Sequence, residues 1–301
     1  MTLEFELYEE KRRRMRRFSF LKGSFATLIV ITLVLVFWNR AEFSYPHIAK
    51  FKVFGEIYDD PERDLILRKI EENEDVYGLI VTINSPGGTV VGAEALYESL
   101  KRISKKKPVV VSIGEVGASA AYRAALAGDK IFARGNSLVG SIGVIVQYPN
   151  LSELADFLGV SMQVISSGKA KGGMNPLEPP NENSLKNQEL LVNDSFMWFK
   201  NLVSERRKLN GKDLDKVSGG QLFTGRMALE LGLIDALGSA SKALKYFQTQ
   251  GSIFKDMDVK DWSSKQNSNS RWKDFLGFMP NMSRKTGINL FQSPILFSIA
   301  S

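Results

Sequence analysis

Beyond residue 50, short apolar runs alternate with longer segments in which apolar residues recur at helical spacing. The apolar runs predict strands over 50–54, 78–83, 109–113, 130–133, 142–147 and 162–166. Helical spacing predicts helices over 61–73, 90–103, 118–127, 182–209, 227–231 and 240–246. Strands that alternate with helices of this length predict an α/β domain with a largely parallel sheet, which we place over 50–250.

A separate apolar stretch lies near the start of the chain. Phe25 to Trp38 contains only apolar residues, Ala and Thr, and an extension back to Phe18 reaches the roughly 20 residues that a spanning helix needs. Six Lys and Arg residues at 11–17 precede it, and such clusters stay in the cytoplasm. No clear small-x-small cleavage site follows Trp38, so we favour an uncleaved signal anchor over a cleaved secretory signal.

This pattern predicts a single-pass protein of the cell (inner) membrane. It has a cytoplasmic basic tail over 1–17, a transmembrane anchor over 18–38 and a linker over 39–49. The α/β domain over 50–250 then lies on the outer, periplasmic side. The segment 251–301 is rich in Ser, Asn and Lys around 263–270, which is typical of a partly flexible tail.

Charge and composition exclude several functions. The net charge of +7 comes largely from the run at 11–17, where it is a topology signal, and we expect no nucleic-acid partner. The chain has no Cys, which excludes disulfides and a thiol nucleophile. Its one His, His47, has no catalytic motif around it, and one His cannot build a multi-histidine metal site. We therefore expect no metal and no cofactor.

Three segments carry candidate chemistry. Ser85-Pro86-Gly87-Gly88 joins a predicted strand to a helix, and two glycines let backbone N–H groups point at a developing oxyanion. Ser119 stands among small residues at a predicted helix start, where a serine is more often an N-cap than a nucleophile. Lys169 and Lys171 follow the run at 162–166, where solvated lysines are the simplest interpretation. The residues alone leave each role open.

In this order the segments resemble the signal peptide peptidase A (protease IV) family, whose members carry a serine–lysine dyad. The resemblance extends over about 51–244. It also includes Asp129-Lys130-Ile131, Gly140-Ser141-Ile142-Gly143-Val144, Phe223-Thr224-Gly225-Arg226 and residues 230–235. It implies a Clp/crotonase-like spiral of ββα units, preceded by a single N-terminal transmembrane helix.

The resemblance also implies a role for individual residues. Ser119 aligns with the family's nucleophile and Lys171 with its general base, although Lys169 is a rival on the same strand face. Gly87, Gly88 and the N–H of Ala120 align with the oxyanion hole, and Ser141 with a serine beside the lysine.

The chain departs from the family pattern at three places. Ala120-Ala121 replaces two glycines, Arg123 stands where an uncharged residue is common, and Gly220-Gln221 replaces a more usual Gly-Arg. These departures concern the shape of the pocket.

The function that the resemblance implies is that of a membrane-anchored serine endopeptidase for apolar peptides such as remnant signal peptides. It also implies a homo-oligomeric ring, in which a neighbouring subunit completes the dyad. One alternative is a catalytically weak or inactive scaffold relative, which the Ala120-Ala121 departure favours. A crotonase-type acyl-CoA enzyme is the other, and the anchor and the absence of a catalytic carboxylate motif argue against it.

Overall fold

The computed structural model describes residues 45–263 and, ahead of them, the helical residues 15, 22, 24, 25 and 27–32. Most of the predicted anchor over 18–38, and the tail beyond 263, lie outside the described residues. Among the helices that are described, none combines the length and the apolar character needed to cross a membrane.

The centre of the described chain is a sheet of eight strands. They are β1 (His47–Phe54), β2 (Val76–Ser85), β3 (Val109–Ala118), β4 (Lys130–Ala133), β5 (Leu138–Gly140), β6 (Leu222–Thr224), β7 (Ala236–Leu237) and β8 (Asp258–Asp261). The main path runs β6-β5-β3-β2-β1-β8, and β4 pairs with both β3 and β7. Every pair is parallel except β5 with β6.

Eight described α-helices connect and flank these strands. They are α1 (Pro61–Glu72), α2 (Val90–Ser104), α3 (Ala120–Ala125), α4 (Ser152–Phe157), α5 (Glu182–Arg207), α6 (Gly211–Val217), α7 (Gly225–Glu230) and α8 (Ala240–Gln250). A short 3-10 helix spans Ser252–Phe254. Local sequence sets the helix starts: Asp60 caps α1 by accepting a hydrogen bond from Arg63 N, and Pro61 follows at the first helical position.

The two faces of the sheet bury separate sets of apolar side chains. Leu79, Val81 and Ile83 of β2 point into the larger cluster, which includes side chains from α1, α2, α3 and α5. Ile80, on the opposite face, packs with Phe247 of α8 in a smaller cluster. Because helices cover both faces, the central strands read as continuous apolar runs.

The predicted α/β class with a mostly parallel sheet is confirmed, and so are all six predicted helices, with ends that differ by a few residues. The strands predicted over 142–147 and 162–166 are wrong. Both segments lack regular structure, and Ile145 is 77% exposed while Ile165 is fully exposed. A strand needs a neighbouring strand for its backbone N–H and C=O groups, and no described strand pairs with either segment.

The sheet begins before the first predicted strand, 50–54, and ends after the predicted domain boundary at 250. β1 begins at His47, and β8 pairs with it in parallel register. The imidazole of His47 is buried, with Nδ1 donating to Tyr45 O and Nε2 accepting from Trp262 Nε1. These hydrogen bonds give the chain's one histidine a structural position between the first and last strands.

Candidate active site

The glycine turn, residues 85–88, leaves the carboxyl end of β2 with its conformation fixed by short contacts. The buried Ser85 Oγ lies 3.2 Å from both Gly87 N and Gly87 O, and Ile57 N donates to Gly87 O at 2.8 Å. Gly87 has a φ of 128°, which favours glycine. A Cβ on Gly88 would lie 2.0 Å from Ile57 O, so only glycine fits at this position.

Ser119 lies between the end of β3 and the start of α3, in a strained backbone conformation. Its φ is 52° and its ψ is −121°, values that a residue with a side chain rarely adopts. Its N–H donates to Gly140 O at 2.8 Å, and its carbonyl accepts from Arg123 N at 2.9 Å. Its side chain makes no capping hydrogen bond to α3. The backbone is therefore held on both sides, while the hydroxyl has no hydrogen-bond partner among the described residues.

The glycine turn and Ser119 meet directly. A Cβ built on Gly87 would lie 3.0 Å from Ser119 Cβ and 3.4 Å from Ala120 N. In the described part of the chain, the N–H groups of Gly88 and Ala120 donate to no acceptor. Two free backbone donors beside one free hydroxyl form the arrangement that an oxyanion hole requires.

Ser141 follows the strand that holds the backbone of Ser119. β5 pairs with β3 in parallel, so Gly140 lies opposite Ala118 and its carbonyl accepts the Ser119 N–H. Ser141 also has a positive φ, 50°, and its N–H donates to Gln221 O at 2.7 Å. The carboxyl ends of β2, β3 and β5 thus converge at one edge of the sheet, which is where open α/β folds bind ligands.

The two candidate lysines make no hydrogen bond or ion pair with the described residues of this cluster. Lys169 and Lys171 are exposed in a turn closed by a hydrogen bond from Lys171 N to Gly168 O. Neither ammonium group makes a hydrogen bond or an ion pair with a described residue. The turn is tied to the first turn of α5, because Ser184 Oγ donates to Ala170 O at 3.0 Å. Within one chain, the structure brings together the serine, the glycine turn and Ser141, and no described contact joins either lysine to them.

The small helix α3 is fixed to the rest of the domain by Tyr122. Its ring is fully buried and its hydroxyl donates to Leu233 O at 2.7 Å. Burial raises the pKa of Tyr122 well above its ordinary value, so the hydroxyl stays neutral. The sequence analysis missed Tyr122 and the Gly140 carbonyl as supports of the site, although Tyr122 lies three residues after Ser119 and Gly140 begins one of the motifs.

Replacing Gly88 by alanine tests the turn. The new methyl group would collide with the Ile57 backbone, which cannot give way as a flexible side chain would. We expect a loss of about 2 kcal/mol or more of unfolding free energy, which lowers Tm by roughly 4–8 °C in thermal denaturation. Gly251→Ala is the matched control, since its φ is extended and a Cβ there meets only ordinary contacts at 3.9 Å and beyond. Equal Tm values for the two variants would contradict the close approach.

Two protein-family models match the chain. The model of peptidase family S49 matches residues 101–253, about half of the chain, and the model of Clp protease matches residues 52–138. The second match agrees with the α/β sheet that carries the glycine turn and Ser119. Together the two models cover the described domain from β1 to the 3-10 helix.

Several curated proteins are similar to the chain. "Putative protease slr0021" of Synechocystis sp. is 35% identical over 69% of this chain and 76% of that protein. "Putative signal peptide peptidase SppA" of Enterococcus faecium is 31% identical over 65% of this chain and 61% of that protein. "Serine protease SPPA, chloroplastic" of Arabidopsis thaliana is 29% identical over 62% of this chain and 28% of that protein. The matched part is therefore less than two thirds of the second and third relatives.

Proposed function

Because the chain belongs to peptidase family S49, we propose that it is a membrane-anchored serine endopeptidase with Ser119 as nucleophile and Lys171 as general base. One observation carries the proposal. The Ser119 hydroxyl makes no hydrogen bond to a described residue and stands on a strained backbone, beside the free N–H groups of Gly88 and Ala120. The N–H of Gly87 is not available as a third donor, because it donates to Ser85 Oγ. The hydroxyl of a serine that serves as a helix cap would instead accept a hydrogen bond from a backbone N–H in the first turn of the helix.

The geometry suits acyl transfer. Ser119 Oγ attacks the carbonyl carbon of the scissile bond while the lysine amine accepts the hydroxyl proton. The carbonyl oxygen becomes an oxyanion, and the N–H groups of Gly88 and Ala120 are free to donate to it. The tetrahedral intermediate collapses, the C–N bond breaks, and the leaving amine takes the proton from the lysine. Water then hydrolyses the ester on Ser119 by the same steps in reverse order.

The lysine must be neutral to act as a base. An ordinary lysine is only about 0.04% neutral at pH 7, and desolvation is the usual way to raise that fraction. In the single chain Lys171 is exposed, so its dry pocket has to come from another molecule. Ser141 of the receiving site is placed beside the nucleophile strand and could hold the amine by a hydrogen bond.

The exposed arm, residues 143–165, supports the idea that a second copy supplies this pocket. Its apolar side chains are exposed in the single chain, and Phe157 reaches 85%. The exposed members are Ile145, Val146, Leu151, Leu154, Phe157, Leu158, Val160, Met162, Val164 and Ile165. So large an apolar surface marks an interaction site. We propose that the arm packs on the neighbouring subunit of a homo-oligomeric ring and carries Lys171 into that subunit's site.

The proposed substrates are apolar peptides, including remnants of signal peptides. Two relatives carry signal peptide peptidase or SPPA in their names. The apolar segment predicted as an anchor over 18–38 would hold the catalytic domain at the outer face of the membrane, where such remnants remain. The proposal includes no cofactor.

Hydrolysis by the full chain in detergent micelles tests this function. We expect cleavage of an internally quenched apolar peptide, and covalent labelling by a fluorophosphonate probe. We expect no turnover of an acyl-CoA thioester, which would instead favour a crotonase-type enzyme. A folded protein that neither cleaves the peptide nor takes the label would identify a non-catalytic scaffold and contradict the proposal.

A further inference from the structure

Arg123, one helical turn beyond Ser119, is a buried cation with little to balance its charge. Its side chain is 4% exposed, and its Nε atom has no hydrogen-bond partner in the described chain. The only carboxylate near it, among described residues, is that of Glu94 at 3.9 Å from Nη2, and this carboxylate is half-exposed. Burial lowers the pKa of Arg123 to about 10, and Glu94 raises it in part, so the guanidinium stays charged at neutral pH.

Arg123 contacts three helices. The residue belongs to α3, which follows Ser119, and its backbone N–H donates to the Ser119 carbonyl. Its Nη1 donates to Val90 O at 3.5 Å, in the first turn of α2, two residues after Gly88. Its Cζ lies 3.2 Å from the centre of the Trp198 ring of α5. One planar group therefore contacts the nucleophile helix, the helix behind the glycine turn, and the helix that follows the lysine turn.

A role in stability alone explains this group poorly. A buried charge whose partner is distant and half-solvated costs desolvation energy, and an apolar residue of similar size is often as stable or more stable. Functional sites are where proteins retain such costs. Two of the contacts made by Arg123, with Ser119 O and Val90 O, lie in the first turns of α3 and α2, next to Ala120 and Gly88.

We infer that Arg123 is a positioning residue for the peptidase reaction, holding the nucleophile helix against the glycine turn and adding a fixed positive charge behind the oxyanion hole. Four residues of helix rise about 6 Å, so the Arg123 backbone lies one turn from Ser119, and its guanidinium reaches Val90 O, two residues after Gly88. A fixed cation there stabilises the oxyanion and disfavours an ammonium at the site, which favours the neutral lysine. This inference rests on the proposed function.

The test compares full-length variants in detergent, with kcat, KM, the pH–rate profile and Tm measured for each. For Arg123→Met we expect a fall in kcat of about 10-fold or more at pH 7, with KM within about two-fold, since binding surfaces are left in place. We expect the acidic limb of the profile to move up by on the order of 1 pH unit, because the ammonium is no longer disfavoured. Tm should stay within a few degrees of wild type.

Arg123→Lys separates geometry from charge. It keeps the positive charge but loses the planar fork that stacks on Trp198. We expect a fall in kcat of a few-fold with the acidic limb unmoved. This variant also carries the test if Arg123→Met does not fold.

Arg206→Met is the matched control. Arg206 donates to the carbonyls of Leu126 and Gly128 at the other end of α3, at 2.7 and 3.0 Å. We expect it to lower Tm and leave the acidic limb in place. A wild-type kcat and pH profile in Arg123→Met, or a wild-type kcat in Arg123→Lys, would overturn the inference. A wild-type protein that does not cleave peptide would instead overturn the proposed function.

Discussion

Replacing Ser119 by alanine is expected to lower kcat for peptide hydrolysis by about 10⁴–10⁶-fold and to abolish fluorophosphonate labelling. Without the hydroxyl no acyl-enzyme forms, and only the free N–H groups of Gly88 and Ala120 remain to stabilise an oxyanion. Loss of label is measured by in-gel fluorescence, and loss of turnover by peptide cleavage at saturating substrate.

Thermal denaturation of the same variant distinguishes a nucleophile from a helix cap. Because the Ser119 side chain makes no capping hydrogen bond, its removal should change the free energy of unfolding by less than about 0.5 kcal/mol. A lost cap would cost about 1 kcal/mol and lower Tm by roughly 2–4 °C. The control is Ser104→Ala at the far end of α2, which should keep both label and turnover. Equal labelling of wild type and Ser119→Ala would remove Ser119 from the mechanism.

The central strands and the glycine turn are predictable from the sequence for physical reasons. β2 and β3 are buried on both faces, so each appears as an uninterrupted apolar run. Two successive glycines indicate close backbone contact, and Gly88 does lie against Ile57. By contrast, β5, β6 and β7 have only two or three residues each, too few to show a period.

The role of Ser119 could not be decided from its surroundings in the sequence. A serine before a helix serves equally as a cap or as a nucleophile, and the difference lies in one backbone angle. The φ of 52° and the hydrogen bond from Ser119 N to Gly140 O depend on β5, which lies 19 residues further on and has no pattern of its own. Tertiary contacts therefore turn a common local motif into a candidate nucleophile.

The strand predictions over 142–147 and 162–166 failed for a different reason. Apolar alternation shows that a segment buries one face, but not whether the covering surface belongs to the same chain. In the described single chain Ile142 is buried in the core, but beyond it the apolar side chains of both segments are uncovered, and Ile145 and Ile165 stay exposed. The pattern is thus consistent with burial against a second copy, which is the assembly that we propose for the exposed arm.

Mixing two inactive variants is expected to restore activity if the dyad is shared between subunits. Ser119→Ala protomers keep the lysine and Lys171→Ala protomers keep the serine, so each variant alone should be inactive. In a ring assembled at random from equal amounts, a site is intact when a Lys171→Ala protomer supplies its serine and the neighbouring Ser119→Ala protomer supplies its lysine. Half of the serines and half of the lysines qualify, so about a quarter of the sites are active. A dyad within one chain would give none.

The experiment uses two tagged full-length variants that are co-expressed and purified through both tags, so that every assembly contains both. Lys169→Ala is the control for the base. It keeps both Ser119 and Lys171, so it should retain most of the wild-type rate alone and still form active sites when it is mixed with Ser119→Ala.

A second arm mixes wild type with the double variant Ser119→Ala/Lys171→Ala, which leaves about a quarter of sites active for a shared dyad and about half for an internal one. The contacts favour the shared dyad, because Ser184 ties the lysine turn to α5 while the Ser119 hydroxyl and the N–H groups beside it have no partner among residues 45–263. Mixed assemblies that form but stay inactive would contradict that arrangement, and with it the assignment of the exposed arm to a neighbouring subunit.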